Sequence, residues 1–152
     1  MGRALEGILK KHRAVGLDTP VLIYHFEDVP PYSDLTERLF AAAGKGEVEL
    51  LVPALCITEF LVKPWEKGER EAEKALSLLL GLPNARFIAV DIEAAAEAAR
   101  LRSRYKLRTP DAILLAAAKG GGATAFLTND RGFLKVRESI EIVVLNDLLK
   151  GK

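Results

Sequence analysis

Five short apolar runs punctuate the chain, and helix-patterned segments lie between most of them: "AVGLD" from Ala14, "VELLVPA" from Val48, "ARFIAV" from Ala85, "ATAFLT" from Ala123 and "IEIVVL" from Ile140. Strands with so few polar interruptions are buried on both faces, and helices inserted between them supply the cover. The pattern predicts an α/β fold with a mainly parallel central sheet of about four to five strands, flanked by helices. In sheets of this kind, functional groups gather at the carboxyl ends of the strands.

The intervening segments carry their own signals. Residues Ala4 to Arg13 read as a short N-terminal helix. In "TPVLIYHFE", Thr19 suits an N-cap and Pro20 the first helical position, where a missing N–H costs nothing. A helix from about Ser33 to Gly44 follows the "DVPPYSD" turn, and another carries "LCITEFLVK" until Pro64. A charged helix spans Glu69 to Leu80. Asp91 then caps "DIEAAAEAARLRSRYKL", whose inward face is Ala94, Ala98, Leu101 and Tyr105. Thr109 and Pro110 open the next helix, "DAILLAAAKG".

The 152 residues, 49% of them hydrophobic, suit one compact domain without repeat or linker. Lys and Arg number 22 against 21 Asp and Glu, so no global field draws the chain to nucleic acid or membrane. Any basic surface must be local. Cys56 is the single cysteine, set between Leu55 and Ile57, which predicts a buried thiol and excludes an internal disulfide or a multi-cysteine zinc site. The longest apolar run, "AILLAAA", falls far short of the roughly 20 residues of a membrane span, and "MGRALEGILKKHR" lacks a signal-peptide core. A soluble cytoplasmic protein is expected. His12 and His25 have no metal-ligand spacing and read as structural or solvated.

Most acids keep solvated company, as in "EKGEREAEK". Four do not: Asp18 ends the first strand, Glu59 interrupts "ALCITEFLV", Asp111 opens the "AILLAAA" helix, and Asp130 follows "AFLTN". Singly, each has a structural explanation as a cap, a dipole partner, a turn residue or an ion pair with Lys63. Collectively they occupy positions that can converge on one crevice. Carboxylates brought together without cations repel, whereas hard divalent ions neutralise them and prefer oxygen ligands. Convergence would therefore imply metal.

Four segments, "LDTPVLIY", "ITEFLVKP", "TPDAILLAAA" and "LTNDRGF", resemble in order and spacing the PIN-domain family of metal-dependent ribonucleases, especially the toxin subunits of VapBC toxin–antitoxin pairs. The match runs from about Ala14 to Leu145. It implies a PIN-like domain over 14–152, preceded by a helical extension, 1–13, packed on it. It implies that Asp18, Glu59, Asp111 and Asp130 are catalytic and hold one or two Mg2+ or Mn2+ ions, with Thr128 and Asn129 as hydrogen-bonding support. Expected partners are RNA, a small antitoxin protein and a second copy of the chain in a homodimer, with no membrane. Pro20 departs from the small polar residue usual there, and Gly132 from a further aspartate, which leaves Asp130 the principal acid of its motif.

Hydrolysis of a phosphodiester needs an activated water, an oriented phosphate and relief of charge on the leaving oxygen, all within the reach of such ions. Cations for a polyanion come from Arg100, Arg102, Arg104, Lys106 and Arg108, a stretch without one acid. Arg100, Arg104 and Arg108 recur every fourth residue, which predicts one helix face for RNA phosphates. Arg131, Lys135 and Arg137 follow Asp130 similarly. Phe26, Tyr32 and Trp65 are expected in the core rather than stacked on bases. An aspartyl phosphatase would want a second aspartate where Pro20 stands, and a receiver domain an early acidic pair. The remaining alternatives are a non-catalytic PIN-like module that binds RNA or protein, and a structure-specific DNA nuclease.

Overall fold

In the computed structural model, which describes residues 2–150, strands form within all five apolar runs. They are β1 (Ala14–Leu17), β2 (Glu49–Pro53), β3 (Ala85–Ile88), β4 (Ala125–Thr128) and β5 (Glu141–Val144). All pair in parallel, in the order β3-β2-β1-β4-β5. Consecutive residues are buried along the central strands, from Val15 to Leu17, Leu50 to Pro53 and Ala125 to Thr128, so both faces of the sheet are covered.

Eight α-helices surround the sheet among the described residues: α1 (Gly2–Lys11), α2 (Thr19–Phe26), α3 (Tyr32–Gly44), α4 (Leu55–Lys67), α5 (Glu69–Leu80), α6 (Ile92–Tyr105), α7 (Thr109–Gly120) and α8 (Leu145–Lys150). Helix α7 packs against β1 and β2 and pairs with α6. Its approach to the sheet explains Gly16, where a Cβ would lie 2.5 Å from that of Ala118. Helix α6 buries Ala94, Ala98, Leu101 and Tyr105, the face its sequence period specifies, and the Asp91 side chain caps it at the Ala94 N–H.

Three local expectations are corrected. The cap of α2 is Asp18 rather than Thr19: the carboxylate accepts from the Thr19 N–H, and Thr19 becomes the first helical residue. Pro64 does not end α4, which continues to Lys67. The proline removes one N–H near the helix end, and the pairing of α4 with α5 holds the last turn in place. Helix α6 stops at Tyr105 because Lys106 adopts left-handed geometry at φ 57°.

Helix α1 packs on α3 and buries Leu5. His12, just beyond it, is buried too, and its ring bridges the Thr124 hydroxyl at 2.8 Å and Glu141 Oε1 at 2.7 Å. That ties the N-terminal segment to the starts of β4 and β5. Cys56 lies in the core, and burial pushes its thiol up to about 12. Leu5 of α1 belongs to the hydrophobic core. Met1, Gly151 and Lys152 lie outside the described residues.

The chain leaves β1 toward β2 on one side and later returns to β4 on the other. The switch point between β1 and β4 is where a ligand crevice forms in such a sheet. Register pairs Leu17 with Leu127, and the Asp18 N–H donates to the Leu127 carbonyl at 2.9 Å. Asp18 and Thr128 thus stand level at the carboxyl edge.

Candidate active site

Asp18 is only 5% exposed. Its Oδ1 accepts from the Thr19 N–H at 2.9 Å and its Oδ2 from the Thr128 hydroxyl at 2.7 Å. Burial pushes the carboxyl up to about 6; the hydrogen bonds from Thr128 and Thr19 oppose the shift, while the charges of Asp111 and Glu59 add to it. Three of the four acids singled out by sequence are thereby within electrostatic reach of one another.

Glu59 sits on the fifth position of α4, between the buried Cys56 and Phe60 of the same helix. Its Oε1 accepts from the Thr19 hydroxyl at 2.5 Å. Sequence reasoning missed this contact because it assigned the hydroxyl to a helix cap. With Asp18 capping α2 instead, Thr19 is free to join two acids: its N–H to Asp18 and its hydroxyl to Glu59.

Asp111 lies in the first turn of α7, which follows directly from the Thr109 and Pro110 start. Its partner is Arg108, with Nε 2.9 Å from Oδ2 and a terminal nitrogen 3.3 Å from Oδ1. Asp111 pushes the guanidinium pKa further up, and Asp130 and Glu59 act in the same direction. Asp130 itself caps the 3-10 turn Arg131–Lys135 through the Gly132 N–H, at 2.8 Å. A Cβ on residue 132 would stand 3.0 Å from Asp130 Oδ1, so glycine leaves that carboxylate room. Thr128 accepts the Asp130 N–H at 3.0 Å while donating to Asp18.

Asn129 does not meet the acids. Its amide donates to the Tyr24 hydroxyl at 3.1 Å, and its carbonyl oxygen accepts the Asn146 N–H at 2.9 Å. It fastens β4 to α2 and α8, and supports the site through the backbone of the β4 end.

The expected single basic face is broken. Arg108 lies beyond the end of α6, at the cap of α7, and its charge is directed to Asp111. Arg100 is committed to Glu97 at 2.8 Å and Glu138 at 2.6 Å, in a cluster completed by Lys119 and the Tyr105 hydroxyl. Arg104 lies over the Tyr105 ring, 5.8 Å from its centroid. Arg131 pairs with Asp147 at 2.8 Å. A four-residue spacing guarantees one face only while the helix continues, and Lys106 ends it. The aromatics also divide: Phe26 packs on Phe60 and Tyr32 stacks on Tyr24, whereas Trp65 is 55% exposed, contrary to its expected place in the core.

Among the described residues, no three His, Cys, Asp or Glu side chains already stand close enough to grip an ion. The donor chemistry nevertheless fits a hard divalent cation. The four candidate donors are all carboxylates, and Asp18 is raised chiefly by burial, with smaller contributions from the charges of Asp111 and Glu59 that a cation would relieve.

Residues 15–139 match the family model described as PIN domain, which leaves α1 outside the matched segment. No curated protein matches the chain. Among solved structures, VapBC2 from Rickettsia felis bound to a DNA fragment from its promoter shares the fold with a TM-score of 0.65 at 15% identity, covering 85% of this chain and 96% of that one. A toxin–antitoxin complex from Klebsiella pneumoniae gives 0.64 at 22% identity, covering 84% and 99%. VapC20 from Mycobacterium tuberculosis, a toxin that cleaves the sarcin-ricin loop, gives 0.60 at 18% identity, covering 82% and 99%.

Proposed function

The chain belongs to the PIN-domain family, and from that premise we propose that it is a ribonuclease dependent on Mg2+ or Mn2+ that hydrolyses RNA phosphodiester bonds. The observation that carries the reading is the buried Asp18 carboxylate at the β1–β4 switch point, with Asp111 and Glu59 close enough to raise its pKa. A fold that tolerates this repulsion gains when a cation arrives.

One or two divalent ions would supply an acidified water and charge relief for the phosphate and the leaving oxygen. Asp18 and Asp130 are the residues assigned to hold them, with Asp111 sharing an ion or orienting its water. Glu59 is held by the Thr19 hydroxyl, which suits it either as a further ligand or for positioning the attacking water. Thr128 keeps the two strand-end acids in fixed relation. Arg104, Arg108 and Arg131 are the cations retained for RNA phosphates. Arg100 is set aside because two carboxylates already neutralise it.

The toxin component of a VapBC-type pair is the cellular role we assign, with a small antitoxin as partner and a homodimer as the assembly. Toxin–antitoxin complexes among the structures that share the fold support this role. The decisive experiment maps cleavage sites on total cellular RNA, with wild type and Asp18→Asn, in Mg2+ or Mn2+ and in chelator. Discrete cuts that need both metal and Asp18 are expected. Cleavage that survives chelation or the substitution would sink the proposal. RNA binding without products would leave a non-cutting PIN-like module, and cleavage confined to DNA a DNA nuclease.

A further inference from the structure

We propose that Arg108 is a resident counter-cation of the acidic site and competes with the divalent ion for Asp111. The inference rests on the metal-dependent reading above and deepens it, since it concerns how readily the site loads.

Backbone geometry puts the arginine there. Arg108 occupies the cap position of α7 with extended φ −67° and ψ 154°, and its side chain caps no helix N–H. The chain then turns into the helix through Thr109 and Pro110, which brings Asp111 back beneath residue 108. The guanidinium meets both oxygens of the carboxylate, at 2.9 and 3.3 Å. A fork spread across both oxygens faces the same lone pairs that a metal would use. Asp130 and Glu59 attract the same guanidinium, so Arg108 answers to three of the four acids. Among the residues whose side chains are described, no other Lys or Arg forms an ion pair with any of the four.

The pair is also built to open. The Asp111 side chain is 13% exposed, but that of Arg108 is 74% exposed. An ion pair with one solvated partner contributes little and loses more of its strength in salt. A divalent ion brings twice the charge to the same carboxylate. The arginine therefore sets a threshold for loading without blocking it, and after displacement its planar fork suits a phosphate oxygen pair. A metal-free site that carries its own cation also avoids holding four unneutralised acids together.

Isothermal titration of Mn2+ into the metal-free full chain tests this, comparing wild type, Arg108→Ala, Arg108→Lys and Asp18→Asn, with circular dichroism to confirm that each is folded. Wild type should bind Mn2+ in a manner that Asp18→Asn greatly weakens. Arg108→Ala should bind about two- to five-fold tighter than wild type, as expected when one partly exposed competing charge is removed. Arg108→Lys should fall between, because it keeps the charge and loses the fork. The advantage of Arg108→Ala should shrink as KCl is raised. Equal or weaker Mn2+ binding by folded Arg108→Ala, with the dependence on Asp18 intact, overturns the competition and leaves the metal-dependent reading standing. No Asp18-dependent binding in any of the proteins overturns both.

Discussion

The Thr128 hydroxyl donates to Oδ2 of Asp18 at 2.7 Å, joining the ends of two neighbouring strands that lie 110 residues apart in sequence. The same oxygen accepts the Asp130 N–H at 3.0 Å. One fully buried side chain therefore aligns the carboxylate that follows β1 with the one that follows β4. This arrangement follows from register, since the pairing of Leu17 with Leu127 sets Asp18 level with Thr128.

Removal of that hydroxyl is expected to cost both stability and alignment. Thr128→Val keeps the shape but leaves the Asp130 N–H and Asp18 Oδ2 each without a partner, a loss of about 1–3 kcal/mol for a buried group. Urea denaturation should report it, and Mn2+ titration should show weaker binding. Thr128→Ser, which keeps the oxygen, should recover most of both. A Thr128→Val protein with wild-type stability and metal affinity would show that the hydroxyl is incidental.

The elevated pKa of Asp18 makes the stability of the metal-free protein depend on pH in a definite direction. Its carboxyl titrates at about 6 in the fold against 3.8 in the unfolded chain. The folded state thus binds the proton more tightly, and the stabilisation is complete below pH 3.8 and fades as pH rises through about 6. A shift of this size corresponds to on the order of 3 kcal/mol between the two limits. In EDTA, Asp18→Asn should flatten this part of the pH–stability curve and be more stable than wild type at about pH 7, while losing RNA cleavage. Metal binding opposes protonation, so Mn2+ affinity of wild type should rise over the same interval. A pH profile unchanged by Asp18→Asn would refute the assignment.

Among the described residues, the Thr19 hydroxyl is the one group that hydrogen-bonds the Glu59 carboxylate. Thr19→Val leaves the helix start intact, because the cap is the Asp18 carboxylate receiving the Thr19 N–H, but it removes the 2.5 Å bond to Glu59. Outer-sphere contacts of this kind commonly carry about 10- to 100-fold in affinity or activity. The turnover of RNA should fall by roughly that factor with little change in melting temperature, and Thr19→Ser should restore it. A variant whose melting temperature falls while turnover holds would assign Thr19 to packing instead.

The fold was legible in the sequence where local pattern and global plan agreed. Apolar runs located all five strands, and the helical period named the buried face of α6 residue by residue. The acids were legible for a different reason: a carboxylate set beside apolar runs, as Asp18 is between "AVGL" and "PVLIY", requires an explanation, whereas one in "EKGEREAEK" does not. What pattern could not convey was the choice among partners. Thr19 can cap a helix or bind a neighbour, and only the approach of α4 brings Glu59 to it. Arg108 fits a helical repeat on paper, but the left-handed Lys106 redirects the chain before the repeat is complete. His12 read as structural or solvated, and the sequence left that choice open; it is buried because α1 closes on the starts of β4 and β5.

The two ends of the arginine series should separate cleanly in RNA binding. Arg131 is an exposed residue beside Asp130, paired with Asp147 whose side chain is itself 47% exposed, so the pair can yield to a phosphate. Arg100 is held by Glu97 and Glu138, and both carboxyls are depressed to about 2, chiefly by that arginine. Taking one cation away from an RNA phosphate should reduce the salt slope of single-stranded binding by about 0.7. Arg131→Ala should show that reduction in fluorescence anisotropy across a KCl series in EDTA. Arg100→Ala should leave the slope unchanged and instead lower the melting temperature by about 2–4 °C, since its removal weakens the cluster that joins α6, α7 and the segment before β5. That stabilisation is present above pH 4.5 and lost as pH falls through about 2, so the difference in melting temperature should vanish in strong acid. The opposite result, a smaller salt slope for Arg100→Ala and none for Arg131→Ala, would move the RNA path away from the Asp130 side of the site and onto the exposed face of α6.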